Sequence, residues 1–349
     1  MVAVFGEIWR VLRDDGTCWL IIGDTYASGT RTEYTSDPKF PQRGGRHRNR
    51  ASPTQGLKPK NLCMIPARLA LALQGDGWYL RQDIAWIKKS PMPESVQDRF
   101  TSSWEHVWLL TKQPRYFFDL DAVAEPSTGF HGSSFTSAYD QVTKPGLGTG
   151  ERTEHPTRHM RNVWILGPEP YNGVSHGAEK SSHYAIFPQA LVERCIKAGT
   201  SQYGVCPHCA APYRRIVDRQ RLLDGHIPVS GTFARPDEPF RIPPNGKGHY
   251  RYTTQTTQQG WAPGCQCAAG APVPAIVLDP FVGSGTTLLV ARALGRHGIG
   301  CDLSWPYLHD QARTRLGLAD LAAWEGHSAP PRQEDHTTLP LFAPQEEAL

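Results

Sequence analysis

Two groups of residues have types and spacings that could do chemistry. The first is Val277-Leu278-Asp279-Pro280-Phe281-Val282-Gly283-Ser284-Gly285-Thr286-Thr287, which reads as strand, tight turn and helix. Its glycines let the backbone come close to a ligand, and the helix start offers open N–H donors. Asp302 follows Gly283 by 19 residues, at the end of the next predicted strand. An acid so placed can accept hydrogen bonds from two ribose hydroxyls. No Lys follows the glycines, which disfavours a phosphate loop of the nucleotide-hydrolase type. The third glycine usual for a nicotinamide dinucleotide is absent too. The plain alternative is a strand-to-helix turn that holds nothing.

The second group is cysteine. Among the 8 cysteines, Cys206-Pro-His-Cys209 and Cys265-Gln-Cys267 form two close pairs with 55 residues between them. Four thiolates match a closed tetrahedral zinc site, structural because no coordination position stays open. The first pair has the spacing of a metal knuckle, whereas the second is one residue tighter than the usual Cys-x-x-Cys. The alternative is four unligated thiols, with His208 as a spare ligand. Cys18, Cys63, Cys195 and Cys301 have apolar neighbours and are expected in the core.

These groups need elements to position them. Val2–Arg13 has Val4, Phe5, Ile8, Val11 and Leu12 at helical spacing. Thr17–Ile22 is a continuous apolar run suited to a buried parallel strand. Ile65–Gln74 predicts a helix with Pro66 in its first turn. Trp78–Lys88, His106–Thr111 and Asn162–Leu166 read as strands, and Pro188–Ala198 as a helix. Trp78, Leu80, Ile84 and Trp86 share one parity, which predicts a core position for both tryptophans. Around the glycine loop, Val273–Asp279 and His297–Asp302 predict strands, and Thr286–Leu294 and Pro306–Leu316 helices. Glu125–Arg161 is rich in Gly, Ser and Thr and lacks periodicity, His226–Gly260 is a long polar segment with scattered Pro and Gly, and Ala322–Leu349 reads as a disordered tail. Lys39–Lys60 is basic without an acid, suited either to phosphate contacts or to a solvated loop.

Composition sets the limits. The chain has 349 residues, 39% hydrophobic and 20% charged, so a packed core is expected and wholesale disorder is not. Gly 33 and Pro 30 predict long loops. No apolar run of about 18 residues predicts a membrane span. Met1–Asp14 has no basic leader region or small-residue cleavage site, so a cytoplasmic location is expected. A net charge of +4 fits a nucleic-acid partner without requiring one. Only one strand follows the glycine loop, while a doubly wound sheet needs about five or six. The N-terminal strands must complete it, which predicts an α/β, doubly wound, mostly parallel sheet in permuted order.

Asp279–Thr287 resembles the S-adenosylmethionine loop of the DNA amino-methyltransferases, which methylate N4 of cytosine or N6 of adenine. Trp86-Ile-Lys-Lys-Ser-Pro-Met-Pro-Glu-Ser-Val-Gln-Asp-Arg99 with Glu105-His-Val-Trp-Leu-Leu-Thr-Lys112 resembles that family's paired strands beside the target-base pocket. His183-Tyr-Ala-Ile-Phe-Pro188 resembles the segment that helps hold the cofactor. The resemblance covers roughly Val2–Leu316. It implies the S-adenosylmethionine-dependent methyltransferase fold, permuted, with an inserted zinc-binding module. Gly283, Ser284, Gly285 and Thr286 would line the cofactor loop beside Phe281. Asp279 would orient the cofactor's amino end, Asp302 its ribose, and Phe187 and Pro188 would complete the wall. Double-stranded DNA is the implied partner, and a restriction endonuclease is compatible with it. The implied division is a catalytic half over 1–112, target recognition over 113–182, and a cofactor-wall segment over 183–205. A zinc-binding insertion over 206–267, a cofactor half over 268–320 and a tail over 321–349 follow. Glu125–Arg161 and the region after Tyr213 are target-recognition candidates on the resemblance alone.

One family element is missing. Its catalytic tetrapeptide is Asp, Asn or Ser, then Pro-Pro and an aromatic, and none occurs in this sequence. There a side-chain oxygen and a backbone carbonyl accept the N–H bonds of a poorly nucleophilic exocyclic amine, while the aromatic stacks on the flipped base. Ser90-Pro-Met-Pro93 matches only superficially. No catalytic residue is therefore assigned. Asp24 is a candidate pocket residue or a loop cap, and Asp98-Arg99 a pocket-orienting pair or a surface ion pair. The expectation is that Met1 is an internal methionine, that the missing strand would sit centrally beside the cofactor strand, and that the chain as given is inactive. No Pro-Cys nucleophile appears in the N-terminal half, which argues against methylation at cytosine C5. Two rivals stand: a non-catalytic zinc-containing DNA-binding remnant, and a nucleotide-binding oxidoreductase.

Overall fold

A computed structural model describes residues 1–27, 57–127, 152–154, 157–167, 187–227, 249–268 and 270–318. Helix α1 (Val2–Val11) leads through a turn at Gly16 into β1 (Thr17–Ile22). Helix α2 (Ile65–Gly75) carries Pro66 in its first turn, and Asp24 Oδ1 accepts the Ile65 N–H at 3.0 Å. The same oxygen accepts the Thr25 N–H at 2.8 Å, so Asp24 ties the turn after β1 to the start of α2. Strands β2 (Tyr79–Lys88) and β3 (Trp104–Thr111) follow, then the short strands β4 (Glu125–Pro126), β5 (Arg152–Glu154), β6 (Thr157–Arg158) and β7 (Val163–Leu166). Helix α3 (Gln189–Gly199) precedes β8 (Arg214–Ile227) and β9 (His249–Ala262). Strand β10 (Ile276–Asp279), helix α4 (Thr286–Ala293) and β11 (His297–Gly300) form a β–α–β unit, followed by a π turn at Tyr307–Ala312.

The larger sheet has the order β1-β3-β2-β7, and β10 with β11 forms a separate parallel pair. A mostly parallel sheet was expected. In the four-stranded sheet, β1–β3 and β3–β2 are antiparallel and only β2–β7 is parallel. The cause is the β2–β3 link, which carries no helix and returns the chain directly, and β3 then inserts between β1 and β2.

The layers follow from strand alternation. Cys18, Leu20 and Ile22 of β1 pack with α1 and α2 around Phe5, Leu73, Trp78 and Leu110. Trp19 and Ile21 point the other way, onto α3 with Leu191, Cys195, Ile84 and Trp86. Trp78 and Trp86 are both core residues, as their parity predicts, but they lie on opposite faces. A register shift between Leu80 and Gln82 inserts one residue, so Leu80 pairs with Leu110 whereas Ile84 pairs with Val107. A bulge of this kind exchanges the two faces of a strand.

Two further differences concern the inserted segment. The polar segment His226–Gly260 carries no strand signal, whereas β8 and β9 pair antiparallel from Arg214↔Ala262 to Ile227↔His249. Val273 lies outside β10 and bridges Val205 instead. Cys63 and Cys195 are buried, but Cys301 is exposed, against the core position expected for it. Residues 28–56, most of 128–156, 168–186, 228–248 and 319–349 lie outside the described residues. They include most of Lys39–Lys60, His183–Ile186 and the tail.

Candidate functional site

The glycine loop sits where sequence places it, between the carboxyl end of β10 and α4. Gly283 has φ +50° and Gly285 φ +82°, backbone that L side chains rarely adopt. Gly285 is also the N-cap of α4, and a Cβ there would lie 3.3 Å from Ala312 Cβ. Asp279 Oδ1 accepts the Phe281 N–H at 3.0 Å, which turns the chain out of β10. Asp302 Oδ2 accepts the Gly283 N–H at 2.8 Å and its Oδ1 the Ser304 N–H at 2.8 Å. The carboxylate keeps lone pairs for a further donor, because each oxygen can accept two bonds.

The structure adds a residue that sequence reasoning missed. Arg315 Nη1 donates to Ser284 Oγ at 3.0 Å and to Thr286 Oγ1 at 2.7 Å. Ser284 and Thr286 are both buried. Ser284 and Thr286 therefore present backbone to a ligand, while their side chains tie the loop to the segment after β11. Spacing gives no sign of this, since Arg315 lies 31 residues beyond Ser284. Phe281 is 58% exposed at the loop's rim. Phe187 packs against both Trp164's cluster and that of Val192, Ile196 and Val290, and Pro188 is fully buried ahead of α3.

Asp279, Pro280, Phe281 and Phe187 help line a large apolar cavity of about 700 Å³, together with residues of α1, β1, α3 and β10 and with Cys206, Pro207 and Ala210. That volume falls within the range of about 300–1,000 Å³ found for small-molecule sites.

The cysteine pairs meet in space. Cys206, Cys209, Cys265 and Cys267 have all four Sγ atoms within 4.8 Å of one another. Tetrahedral zinc with Zn–S of about 2.3 Å needs sulfurs about 3.8 Å apart, so a small closure completes the site. Ala210 adopts φ +57° to turn the first pair, and its N–H donates to the Cys206 carbonyl at 2.8 Å. Gly264 supplies the close approach of the second arm, since a Cβ there would lie 2.3 Å from the Pro212 carbonyl oxygen. The backbone N–H groups of Cys209 and His208 favour the Cys206 thiolate and bring its pKa down to about 6. Hydrogen bonding with the thiols of Cys209 and Cys265 drives Cys267 the other way, up to about 12. His208 Nδ1 lies 3.9 Å from Cys267 Sγ, beside the four sulfurs rather than among them. The donor set and its spacing fit zinc.

Asp98 and Arg99 do not pair with each other. Asp98 bonds Lys60 at 2.6 Å on the surface, and that cation holds its carboxyl below the usual range. The Arg99 guanidinium lies 3.9 Å above the Tyr26 ring and bonds Glu94. This stack fixes the turn after β1 against the β2–β3 link.

The family model described as DNA methylase matches residues 1–206 and 270–313, and the chain belongs to that family. The unmatched stretch between holds three of the four clustered cysteines and the β8–β9 hairpin. The Type II methyltransferase M.SmaI of Serratia marcescens is 39% identical over 205 residues, 58% of this chain and 59% of its own. M.SfiI of Streptomyces fimbriatus is 29% identical over 347 residues, covering 89% of this chain and 77% of its own. The match to M.SmaI and to M.XycI of Xanthomonas campestris pv. cyanopsidis thus spans under two thirds of either relative, 59% and 55%. Among solved structures, the PvuII DNA methyltransferase (cytosine-N4-specific) aligns with 90% of this chain and 70% of its own. Its identity is 15% and its TM-score 0.44. No helix among the described residues is long and apolar enough to cross a membrane.

Proposed function

We propose that this chain belongs to the S-adenosylmethionine-dependent branch of DNA amino-methylation, acting on N4 of cytosine or N6 of adenine in double-stranded DNA. The observation that carries the reading is the loop Asp279–Thr286. Two left-handed glycines, a helix start and the Asp302 carboxylate converge there, and Asp279, Pro280, Phe281 and Thr287 of the same loop line an apolar cavity. Family membership supplies the DNA. When bound, S-adenosylmethionine provides an electrophilic methyl group. The chain's own residues hold and orient. Asp302 keeps Gly283 in place and offers its remaining lone pairs to a ribose. Asp279 fixes the turn, and Phe281 with Phe187 forms apolar walls that keep water out. Arg315 locks the two loop hydroxyls, so the loop is rigid before any ligand arrives.

Cys206, Cys209, Cys265 and Cys267 would hold one structural zinc, which closes the inserted hairpin at its base. The hairpin and the segment over 113–182 are the proposed target-recognition parts. A restriction endonuclease is the proposed cellular counterpart, and the cytoplasm the proposed location. The experiment is transfer of tritiated methyl from S-adenosylmethionine to unmethylated DNA, followed by hydrolysis and base identification. Label in N4-methylcytosine or N6-methyladenine supports the reading. Cofactor binding by calorimetry with no label in any base would separate a binding loop from a working enzyme.

A further inference from the structure

The carboxyl ends of β1, β2 and β10 point the same way. Thr17 starts β1 against Gly199 at the end of α3, where a Cβ would lie 2.2 Å from Thr17 Oγ1. Arg296, just ahead of β11, donates to Thr200 at that same end, and the His297 N–H to the Ala275 carbonyl, just ahead of β10. Strands β1 and β10 therefore both start at one end of α3 and run in one sense. Strand β2 shares that sense, because β3 lies antiparallel to both β1 and β2. The link from β2 to β3, residues 89–103, thus leaves the sheet on the side where the glycine loop leaves β10. Ligands of open α/β sheets bind on that side, beyond the strand ends.

The link leaves large apolar side chains in water. Phe100 is 97% exposed and Met92 76%, and Trp104, where β3 begins, is 50% exposed. The backbone at Phe100 is held. Arg99 Nη1 donates to the Phe100 carbonyl at 3.1 Å, and the same guanidinium is fixed by Glu94 and by the Tyr26 ring. Asp98, on the other side of Arg99, bonds Lys60 at 2.6 Å. A ring left wholly in water adds nothing to the fold, whereas its burial against a partner is favourable. Lys58, two residues before Lys60, and Lys89, at the start of the link, are exposed and pair with no acid among the described residues.

We propose that this link opens the duplex: Phe100 enters the base stack of double-stranded DNA and fills the gap left when the target nucleotide swings out. The proposal rests on the amino-methylation reading. The amine of a paired base lies inside the helix, so it reaches a bound cofactor only after its nucleotide leaves the stack. Phe and Met are among the apolar side chains that wedge between base steps. An aromatic ring also replaces the stacking that the extruded base gives up. Lys58 and Lys89 take flanking phosphates. A flat ring accompanied by unpaired cations fits stacked bases between phosphates, whereas an apolar protein groove would leave both lysines without a counter-charge.

The test compares two short duplexes of one sequence, one fully paired and one with a single abasic site, bound to the full chain at low salt. A missing base removes the cost of extrusion but leaves the gap for a ring. The expected result is about 10-fold tighter binding of the abasic duplex, the scale of one base–aromatic stack, lost in Phe100→Ala and kept in Phe100→Trp. Circular dichroism and melting of Phe100→Ala should match the parent chain, since the side chain lies in water. Lys58→Ala combined with Lys89→Ala should weaken both duplexes alike and lower the salt slope by about 2. An equal abasic preference in Phe100→Ala, or none in either protein, overturns the wedge while duplex binding stands. No binding of either duplex at low salt overturns the DNA reading and the wedge with it. An oligomer that dissociates in Phe100→Ala, read by light scattering, overturns the wedge in favour of a contact between copies.

Discussion

Arg215 and Asp119 join the inserted hairpin to the body of the protein, and their pairing can be given a magnitude. Arg215 Nη2 donates to Asp119 Oδ2 at 3.0 Å and Nε to Oδ1 at 3.3 Å, with side chains 14% and 5% exposed. The same guanidinium lies 4.5 Å from the Trp261 ring centre and bonds Gln202 and Gln258. Arg215→Met keeps the packed stem but strips every donor from Asp119 except the Ala122 N–H at 3.2 Å. Removing one partner of a buried pair costs about 3–5 kcal/mol. The remaining bond puts this case at the lower end, about 3 kcal/mol. In a chain of this size that lowers Tm by about 6 °C, at about 2 °C per kcal/mol. Asp119→Asn keeps the shape and loses the charge, costing about 1–2 kcal/mol. The double variant removes both charges of the pair, so it is expected to recover about 2 kcal/mol of the summed loss. Urea and thermal melts followed by circular dichroism read all three. Simple additivity, or an Arg215→Met shift below about 1 °C, would refute the claim that this pair carries the attachment.

Other outcomes follow from the site. Gly285→Ala forces a Cβ into left-handed backbone beside Ala312 and should cost about 1–2 kcal/mol, measured by melting, and weaken S-adenosylmethionine binding in calorimetry. Cys209→Ser should abolish stoichiometric zinc in elemental analysis of the purified chain, whereas Cys301→Ser, at an exposed position outside the cluster, should leave it unchanged. Arg315→Ala frees the hydroxyls of Ser284 and Thr286, and should lower cofactor affinity several-fold while α4 stays folded by amide exchange. Phe5→Ala empties a fully buried position between α1 and Trp78 and should cost about 3–5 kcal/mol in urea titration.

The sequence made the local pieces legible where periodicity or spacing was strong. The strand–glycine–helix run, the Asp302 partner and the two cysteine pairs depend on residues close in sequence or on one chemistry, and the structure brings each set together. The hairpin was invisible because Thr-Thr-Gln-Thr-Thr-Gln-Gln over Thr253–Gln259 carries no apolar alternation. Its β-branched threonines favour strand, but the pairing itself is backbone. The exchange of faces in β2 was hidden because a bulge leaves no mark in residue parity. Arg315 on the glycine loop and Arg215 on Asp119 were equally hidden, since both link parts far apart in the chain. Cys301 was misjudged for a different reason. Its apolar neighbours are real, but β11 is a short outer strand whose Ile299 is itself 50% exposed.

The insertion enters and leaves the fold at one point. Val205 N–H donates to the Val273 carbonyl at 2.8 Å, and Val273 N–H returns to Val205 at 3.0 Å. Two reciprocal bonds thus close a loop of almost seventy residues, and the remaining ties to the body, Arg215 to Asp119, Arg219 to Asp121 and Arg13 to the Cys209 carbonyl, are made by side chains. Segments whose ends lie this close are the ones that proteins gain, lose and exchange most readily. A lineage could therefore replace everything between Val205 and Val273 by recombination and leave the Asp279–Thr286 loop in place.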